Sequence, residues 1–424
     1  MRGGNLENSR DILGQTDSVP SESKVSSESS PARGLKVRVQ LPEIVFLLLL
    51  AQIVALVLLS LVLQVGPTFV GRDPRGFCMD FFDLYLAGNF HAQHINPYLT
   101  GRFVTPPFSL LIGSSFQWLP FEQARYLWFL LNLGMVAAAL AAFARQIGLG
   151  ARNTLLLFMI AGVFYPLYFL LERGNIDGLV LACLVFAFRA RHRAVTIVLY
   201  GMSIALKLYS GLLALVFARR KRWTLAVGGI VAAVVLQLPW LGLAMVYPRV
   251  LGQRSTQMIV TENISPANFF QFVFDFLGVP GWKIVFVLFW LLTLLWVLVQ
   301  ERPPEQDPAD WVLFVPWMIS MPSVVYPYSA VLTLPLLALL AKRSEHEKLG
   351  VPEWLLIVGF VLSGTQQNAW GELLSNLTTH VVWIYQLNSL GTALLVGGCC
   401  VLAARGSQVA KPMPANRATI GCPM

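Results

Sequence analysis

The chain has 424 residues, of which 56% are hydrophobic and only 12% charged, and its mean hydropathy is +0.64. Average soluble domains carry about 25% charged residues, so a soluble globular enzyme and a disordered chain are both excluded. An outer-membrane barrel is excluded too, because its strands alternate apolar and polar residues. What these numbers leave is an all-α polytopic membrane protein. The net charge is +9, from 31 Lys and Arg against 22 Asp and Glu. The basic residues cluster in short stretches between apolar runs, as membrane topology demands, so no nucleic-acid partner is expected. Of the five cysteines, Cys183, Cys399 and Cys400 lie in apolar runs and Cys78 and Cys422 lie outside them. No CxxC or Cys/His cluster suggests a metal site.

Residues 1–40 are rich in Ser, Glu and Gly and read as a disordered cytoplasmic tail. Its basic end, Arg33, Lys36 and Arg38, abuts the first apolar run, Glu43 to Val65, which is long enough to cross a bilayer. A polar loop follows, from Gly66 to about Val104. Within it Met79 to His91 predicts an interfacial helix with Phe81, Phe82, Tyr85, Leu86 and Phe90 on its apolar side, ended by NPY. Further apolar runs lie near 105–119, 121–144, 153–171, 175–190, 194–218, 223–247, 281–300, 311–322, 327–341, 352–363 and 378–404. Several are shorter than the ~20 residues of a full span. Short and Pro-interrupted runs predict broken or re-entrant helices. Residues 247–280 read as a second long polar loop, and 301–310 and 342–350 as cytoplasmic loops. Residues 41–405 form the expected membrane domain, and 406–424 a disordered C-terminal tail.

The topology holds one conflict. If every run crosses, the basic clusters RARHR (189–193) and ARRKR (218–222) fall on opposite sides, against the positive-inside tendency. Making 194–218 a re-entrant hairpin that breaks near Lys207–Gly211 puts both inside, and the stretch 105–144 then makes one net crossing.

Three places carry potential chemistry. Asp80 and Asp83 lie one helical turn apart after the first span and share a helix face. They read either as solvated acids at a helix N-terminus or as a general base and its neighbour. ERGNID (172–177) sets Arg173, Asn175 and Asp177 between two apolar runs, as an ordinary charged turn or as a site at the hydrocarbon boundary. Lys207, next to Tyr209 in ALKLYSG, is about a dozen residues from either basic cluster, too far to snorkel comfortably. Such a lysine costs roughly 2.5–3.5 kcal/mol on insertion scales and usually marks a function. Weaker signals are Arg254 and Asn263 in the 247–280 loop, and Tyr326 and Tyr328 among the prolines of 311–341.

Four stretches together resemble the membrane-integral GT-C glycosyltransferases, and in detail glycosyltransferase family 87. They are DFFDLYLAG (80–88) with NPY (96–98), TPPFSLLIGSSFQWLP (105–120), ERGNIDGLVLACLVFAF (172–188) and GMSIALKLYSGLLALVFARRKRW (201–223). The family includes polyprenyl-phosphate-mannose-dependent mannosyltransferases and arabinofuranosyltransferases. The resemblance implies a GT-C-like bundle of about 10–12 transmembrane or re-entrant helices in a bacterial plasma membrane, with the N-terminus cytoplasmic and the site facing outside. It implies inverting transfer of a hexose, mannose first, or a pentose from a polyprenyl-phosphate-linked donor to a glycolipid or glycan acceptor. Asp80 would be the general base. Asp83, Arg173, Asn175, Asp177, Lys207, Tyr209, Arg254, Asn263 and Tyr328 would bind substrate, with no metal and no cofactor expected. Two positions depart from the family pattern: Ser210 replaces a proline, and Pro327 stands near an expected histidine. The alternatives are a secondary transporter or lipid flippase with Lys207 in its substrate site, and a noncatalytic assembly subunit.

Overall fold

The computed structural model describes residues 41–62, 77–255, 263–300, 310–322, 325–345, 349–375, 384 and 386–409. The expected tail over 1–40 lies outside them. Among the described residues there are helices and no strand.

The first helix, α1 (Leu41–Val62), is mostly Leu, Val and Ile, about 33 Å long at 1.5 Å per residue. The expected interfacial helix is α2 (Met79–Ala92). It packs on α3 (Leu110–Ser115), where Gly113 lets the backbones meet: a Cβ there would lie 2.0 Å from the carbonyl oxygen of Leu84. The run 105–119 therefore makes a short packed element rather than a span, and α4 (Phe121–Gln146) makes the crossing. The run 153–171 is divided into α5 (Ala151–Val163) and α6 (Tyr165–Arg173), bent by 58°; Pro166 in the first turn of α6 cannot donate to the preceding turn.

Next come α7 (Asp177–Arg189), α8 (Arg193–Leu206), a 3-10 stretch (Leu208–Leu213) and α9 (Ala214–Arg219). The chain breaks at Lys207, whose backbone is extended at φ −145° and ψ 107°. The two arms have nearly equal reach, about 21 Å each from the helical rises, and they lie against one another. The Tyr200 hydroxyl donates to the Gly211 carbonyl at 3.0 Å and its ring meets that of Phe217 at 5.1 Å, so the chain doubles back. This is the hairpin that the charge pattern required, and Lys207 is at its tip.

The chain continues through α10 (Trp223–Gln237), α11 (Leu241–Ser255), α12 (Pro266–Phe276) and α13 (Trp282–Val299). The stretch read as a long polar loop thus contains the end of α11 and all of α12. The latter is capped by Ser265, whose side chain accepts the N–H of Ala267, and starts with Pro266, a start signal hidden by the surrounding polar residues. A second hairpin follows: a 3-10 turn (Asp310–Phe314) and α14 (Val315–Ser320) descend, and a 3-10 stretch (Pro327–Thr333) and α15 (Leu334–Ser344) return. Finally, α16 (Val351–Ser363), α17 (Gln367–Ser375) and α18 (Leu387–Val409) close the bundle. The last helix runs four residues past 405, into the stretch expected to be a tail; residues 410–424 lie outside the described residues.

Among the described residues five helices or helix runs are long and apolar enough to span a membrane, six if the bent pair α5–α6 counts as one. The remaining apolar elements among the described residues are shorter. Aromatic rings mark the level at which the hairpins begin and end. Phe188, near the end of α7, stacks on Phe217 of the first hairpin at 4.7 Å and on Trp311 of the second at 5.0 Å. At this face Glu43 pairs with Arg152, and Arg219 bonds the carbonyl of Gln300. The start of α1, the start of α5, the end of α13 and the bases of both hairpins therefore share one face. Helix α7, about 20 Å long, leads from it to the level of the hairpin tips.

Candidate active site

The site is assembled where α6 gives way to α7. Helix α6 ends at Gly174, in the left-handed region at φ +65°, a conformation glycine adopts at little cost. Here a Cβ would also come within 2.9 Å of the Phe81 Cβ. Trp128 Nε1 donates to the Gly174 carbonyl at 2.7 Å, and the buried Asn132 Nδ2 donates to the Asn175 carbonyl at 3.1 Å. The start of α2 is tied to the same turn, since the Cys78 N–H donates to the Glu172 carbonyl at 2.6 Å.

These anchors set Asp80 against the turn. Its Oδ1 accepts from Arg173 Nε at 3.0 Å and lies 2.8 Å from Arg173 Nη2, and its Oδ2 accepts from Asn175 Nδ2 at 2.7 Å. The Asp80 side chain stays 19% exposed and that of Arg173 28%, so the carboxylate is held on both oxygens yet remains reachable. Asn175 links the two acids, because its Oδ1 also accepts the Asp177 N–H at 3.2 Å.

Asp177 is different. Its side chain is fully buried in the first turn of α7, where the helix dipole favours an anion. Oδ1 accepts from the Tyr209 hydroxyl at 2.9 Å and lies 3.4 Å from Lys207 Nζ; Oδ2 accepts from the Ser329 hydroxyl at 2.6 Å. Both hairpin tips thus converge on one carboxylate. Lys207, 15% exposed, also faces the Tyr328 ring at 5.4 Å and the Tyr209 ring at 6.0 Å, at the range of cation–π attraction. Tyr328 stacks on Phe169 at 5.9 Å and on Tyr326 at 5.5 Å.

Of the residues singled out from sequence, Asp80, Arg173, Asn175, Asp177, Lys207, Tyr209 and Tyr328 are joined by this network. Asp83 is half-buried one turn further along α2. Asn263 is elsewhere: its Oδ1 accepts the N–H groups of Ser265 and Val325, both at 3.0 Å, and its carbonyl accepts from Ser389 Oγ at 2.6 Å. It pins the chain beside the second tip. The Arg254 side chain lies outside the described residues. Ser329, Trp128 and Asn132 were not singled out; the signal for Asn132 was a lone amide in an apolar helix. Among the described residues no group of three His, Cys, Asp or Glu side chains could hold a metal ion.

An all-α polytopic membrane protein with carboxylates and cations gathered at the tips of two re-entrant hairpins is the class defined by this fold. The profile of glycosyltransferase family 87 matches residues 103–321, just over half of the chain, and the chain belongs to that family. It is also similar to the alpha-(1->3)-arabinofuranosyltransferase of Mycobacterium tuberculosis in two strains, CDC 1551 / Oshkosh and ATCC 25618 / H37Rv. Each is 24% identical over 322 residues. These matches cover 66% of this chain and 66% of the relative, just under two thirds of the relative's length. No solved structure matches. Asp80, Tyr328 and Ser329 lie outside the family-matched segment, whereas Arg173, Asn175, Asp177 and Lys207 lie inside it.

Proposed function

We propose that this protein is a glycosyltransferase that moves a sugar from a polyprenyl-phosphate-linked donor to a glycan or glycolipid acceptor, with inversion. Family membership and the arabinofuranosyltransferase relatives support sugar transfer. The same relatives favour a pentose over a hexose, and nothing in the comparisons supports mannose.

The observation that carries the reading is the Asp80 carboxylate, oriented by Arg173 and Asn175 and still partly exposed. In the reaction it takes the proton of the acceptor hydroxyl while that oxygen bonds to the anomeric carbon. The bond from the anomeric carbon to the phosphate oxygen breaks, and polyprenyl phosphate leaves with the electron pair. A positioned base contributes about 10²–10⁴-fold. Charge developing on the leaving phosphate needs fixed cations, and Lys207 and Arg173 supply them. Asp177, too buried to meet substrate, positions Lys207 and Tyr209. In the competing transporter reading Lys207 would likewise meet its substrate directly, so its pairing with Asp177 does not separate the two; family membership favours sugar transfer.

The orientation follows from charge. Arg145, Arg152, the 189–193 and 219–222 clusters, Lys342 and Arg343 belong to the face of the hairpin bases. By the positive-inside tendency that face is cytoplasmic and the hairpin tips lie toward the outside. We read residues 41–405 as the catalytic membrane domain. The test is to express Asp80→Asn and Asp83→Asn, confirm membrane insertion, and measure transfer from polyprenyl-phosphate-linked arabinose and mannose. Loss of transfer in Asp80→Asn alone is expected; full activity in that variant removes Asp80 from the base role.

A further inference from the structure

On the opposite face from the carboxylates, the two basic clusters enclose space. A cavity of about 500 Å³ is lined by Arg191, Arg193, Thr196, Lys221, Arg222 and Thr224. Among the described residues no acidic side chain lines it, and none of the four cations is ion-paired there. Helices α8 and α10 pack side by side and both begin at this cavity. A Cβ on Gly201 would lie 2.6 Å from that of Ala232. Neither helix has a side-chain cap at its N-terminus, so two sets of orphan N–H groups and two positive dipole ends join the four cations. Lys221 adopts the left-handed region at φ +56°, an uncommon conformation for a residue with a Cβ.

A second cavity, of about 730 Å³, adjoins the first and shares Ala190 and Arg191 with it. Its other lining residues are Arg189 and three apolar side chains, Phe186, Val195 and Leu199, on the outer surfaces of α7 and α8. A polar, cationic pocket beside an open groove that carries three apolar side chains has the two-part chemistry of a phospholipid. Basic pockets between membrane helices on this kind of face bind anionic headgroups.

We propose that these joined cavities bind an anionic phospholipid, its phosphate headgroup between Arg191, Arg193, Lys221 and Arg222 and its acyl chain along Phe186, Val195 and Leu199. The site is separate from the sugar-transfer chemistry and does not depend on it.

The full-length protein in neutral detergent is titrated with phosphatidylglycerol or phosphatidylcholine, and bound lipid is counted by native mass spectrometry. Phosphatidylglycerol is expected to be retained and phosphatidylcholine washed away. Each basic residue near a headgroup contributes about fivefold in affinity, so Arg193→Gln with Arg222→Gln weakens phosphatidylglycerol binding roughly 25-fold. Arg145→Gln with Arg343→Gln, the same charge change at the same face but outside the cavity, leaves it within about twofold of the unaltered protein. Lys221→Gly suits the left-handed backbone and gives a roughly fivefold loss even if the double variant folds poorly. Inorganic phosphate at millimolar concentration does not displace the lipid. Equal retention of the two lipids, equal loss in both double variants, unchanged binding in Lys221→Gly, or displacement by inorganic phosphate each overturns the proposal, the last in favour of a free-anion site.

Discussion

Lys207 and Asp177 stand 3.4 Å apart with the carboxylate fully buried, and their interdependence can be measured. At an effective dielectric of about 20, two unit charges at that distance attract by roughly 5 kcal/mol, part of which offsets their removal from water. Removing one partner of a buried pair costs about 3–5 kcal/mol, mostly because the other charge is stranded. Asp177→Asn strands Lys207, whose 15% exposure admits some screening, so the lower end, about 3 kcal/mol, is expected. Lys207→Met leaves Asp177 with the hydroxyls of Tyr209 and Ser329, and about 2 kcal/mol is expected. The double variant strands neither charge. It should lose about 2 kcal/mol rather than the sum of about 5, a coupling of about 3 kcal/mol. Unfolding in mixed micelles of increasing denaturing-detergent content, followed by the fluorescence of the 12 tryptophans, gives the three free energies. Sugar transfer should be lost in all three variants, since Lys207 or its orienting partner is missing from each. If the single losses add within about 0.5 kcal/mol, the two groups do not act as a pair and the site built on them is wrong.

Arg173→Lys cannot reproduce the two-nitrogen grip on Asp80 Oδ1; kcat should fall tenfold or more in steady-state assays while the unfolding midpoint stays put. Gly113→Ala forces a Cβ into the Leu84 carbonyl and should cost about 1–3 kcal/mol. Gly134→Ala, facing open space in α4, should be neutral or stabilising in the same titration. Burial pushes Glu345 up, yet hydrogen bonds from Lys342 and Asn153 outweigh it and hold the carboxyl below its ordinary 4.5. A lowered folded-state value stabilises above about pH 4.5, and that stability is lost as the pH falls through the folded value. Thermal midpoints should therefore drop between pH 5 and 3 in the parent and change less steeply in Glu345→Gln.

Much of the architecture could be read from local pattern. The first span, the interfacial helix after it and the break at Lys207 each follow from hydropathy, turn chemistry and charge within a short window. The two basic clusters, read only as topology, were correctly placed on one face by the hairpin argument. What local pattern could not supply was the partner of each charge. Nothing around Lys207 points to an aspartate 30 residues earlier, and nothing in PYSA points Ser329 at the same carboxylate. Helix α12 was hidden because Asn268, Gln271 and Asp275, which share its polar face, break up the apolar run in the linear sequence and make an amphipathic segment look like a polar loop. Asn263 drew notice as a polar residue among aromatics, yet its side-chain oxygen accepts two backbone N–H groups, from Ser265 in its own turn and Val325 in a neighbouring one. Only tertiary packing distinguishes that use from substrate binding.

The two return loops also bear on how the molecule is made. A piece of chain that enters and leaves by one side has no counter-anchor on the other, so the insertion machinery has no reason to hold it at depth by itself. Lys207, Tyr209, Tyr328 and Ser329 can settle only once α4, α6 and α7 are in place to receive them. Assembly of the candidate site is thereby expected to be a late event in biogenesis, and a newly made chain lacks it until its neighbours have closed around those loops.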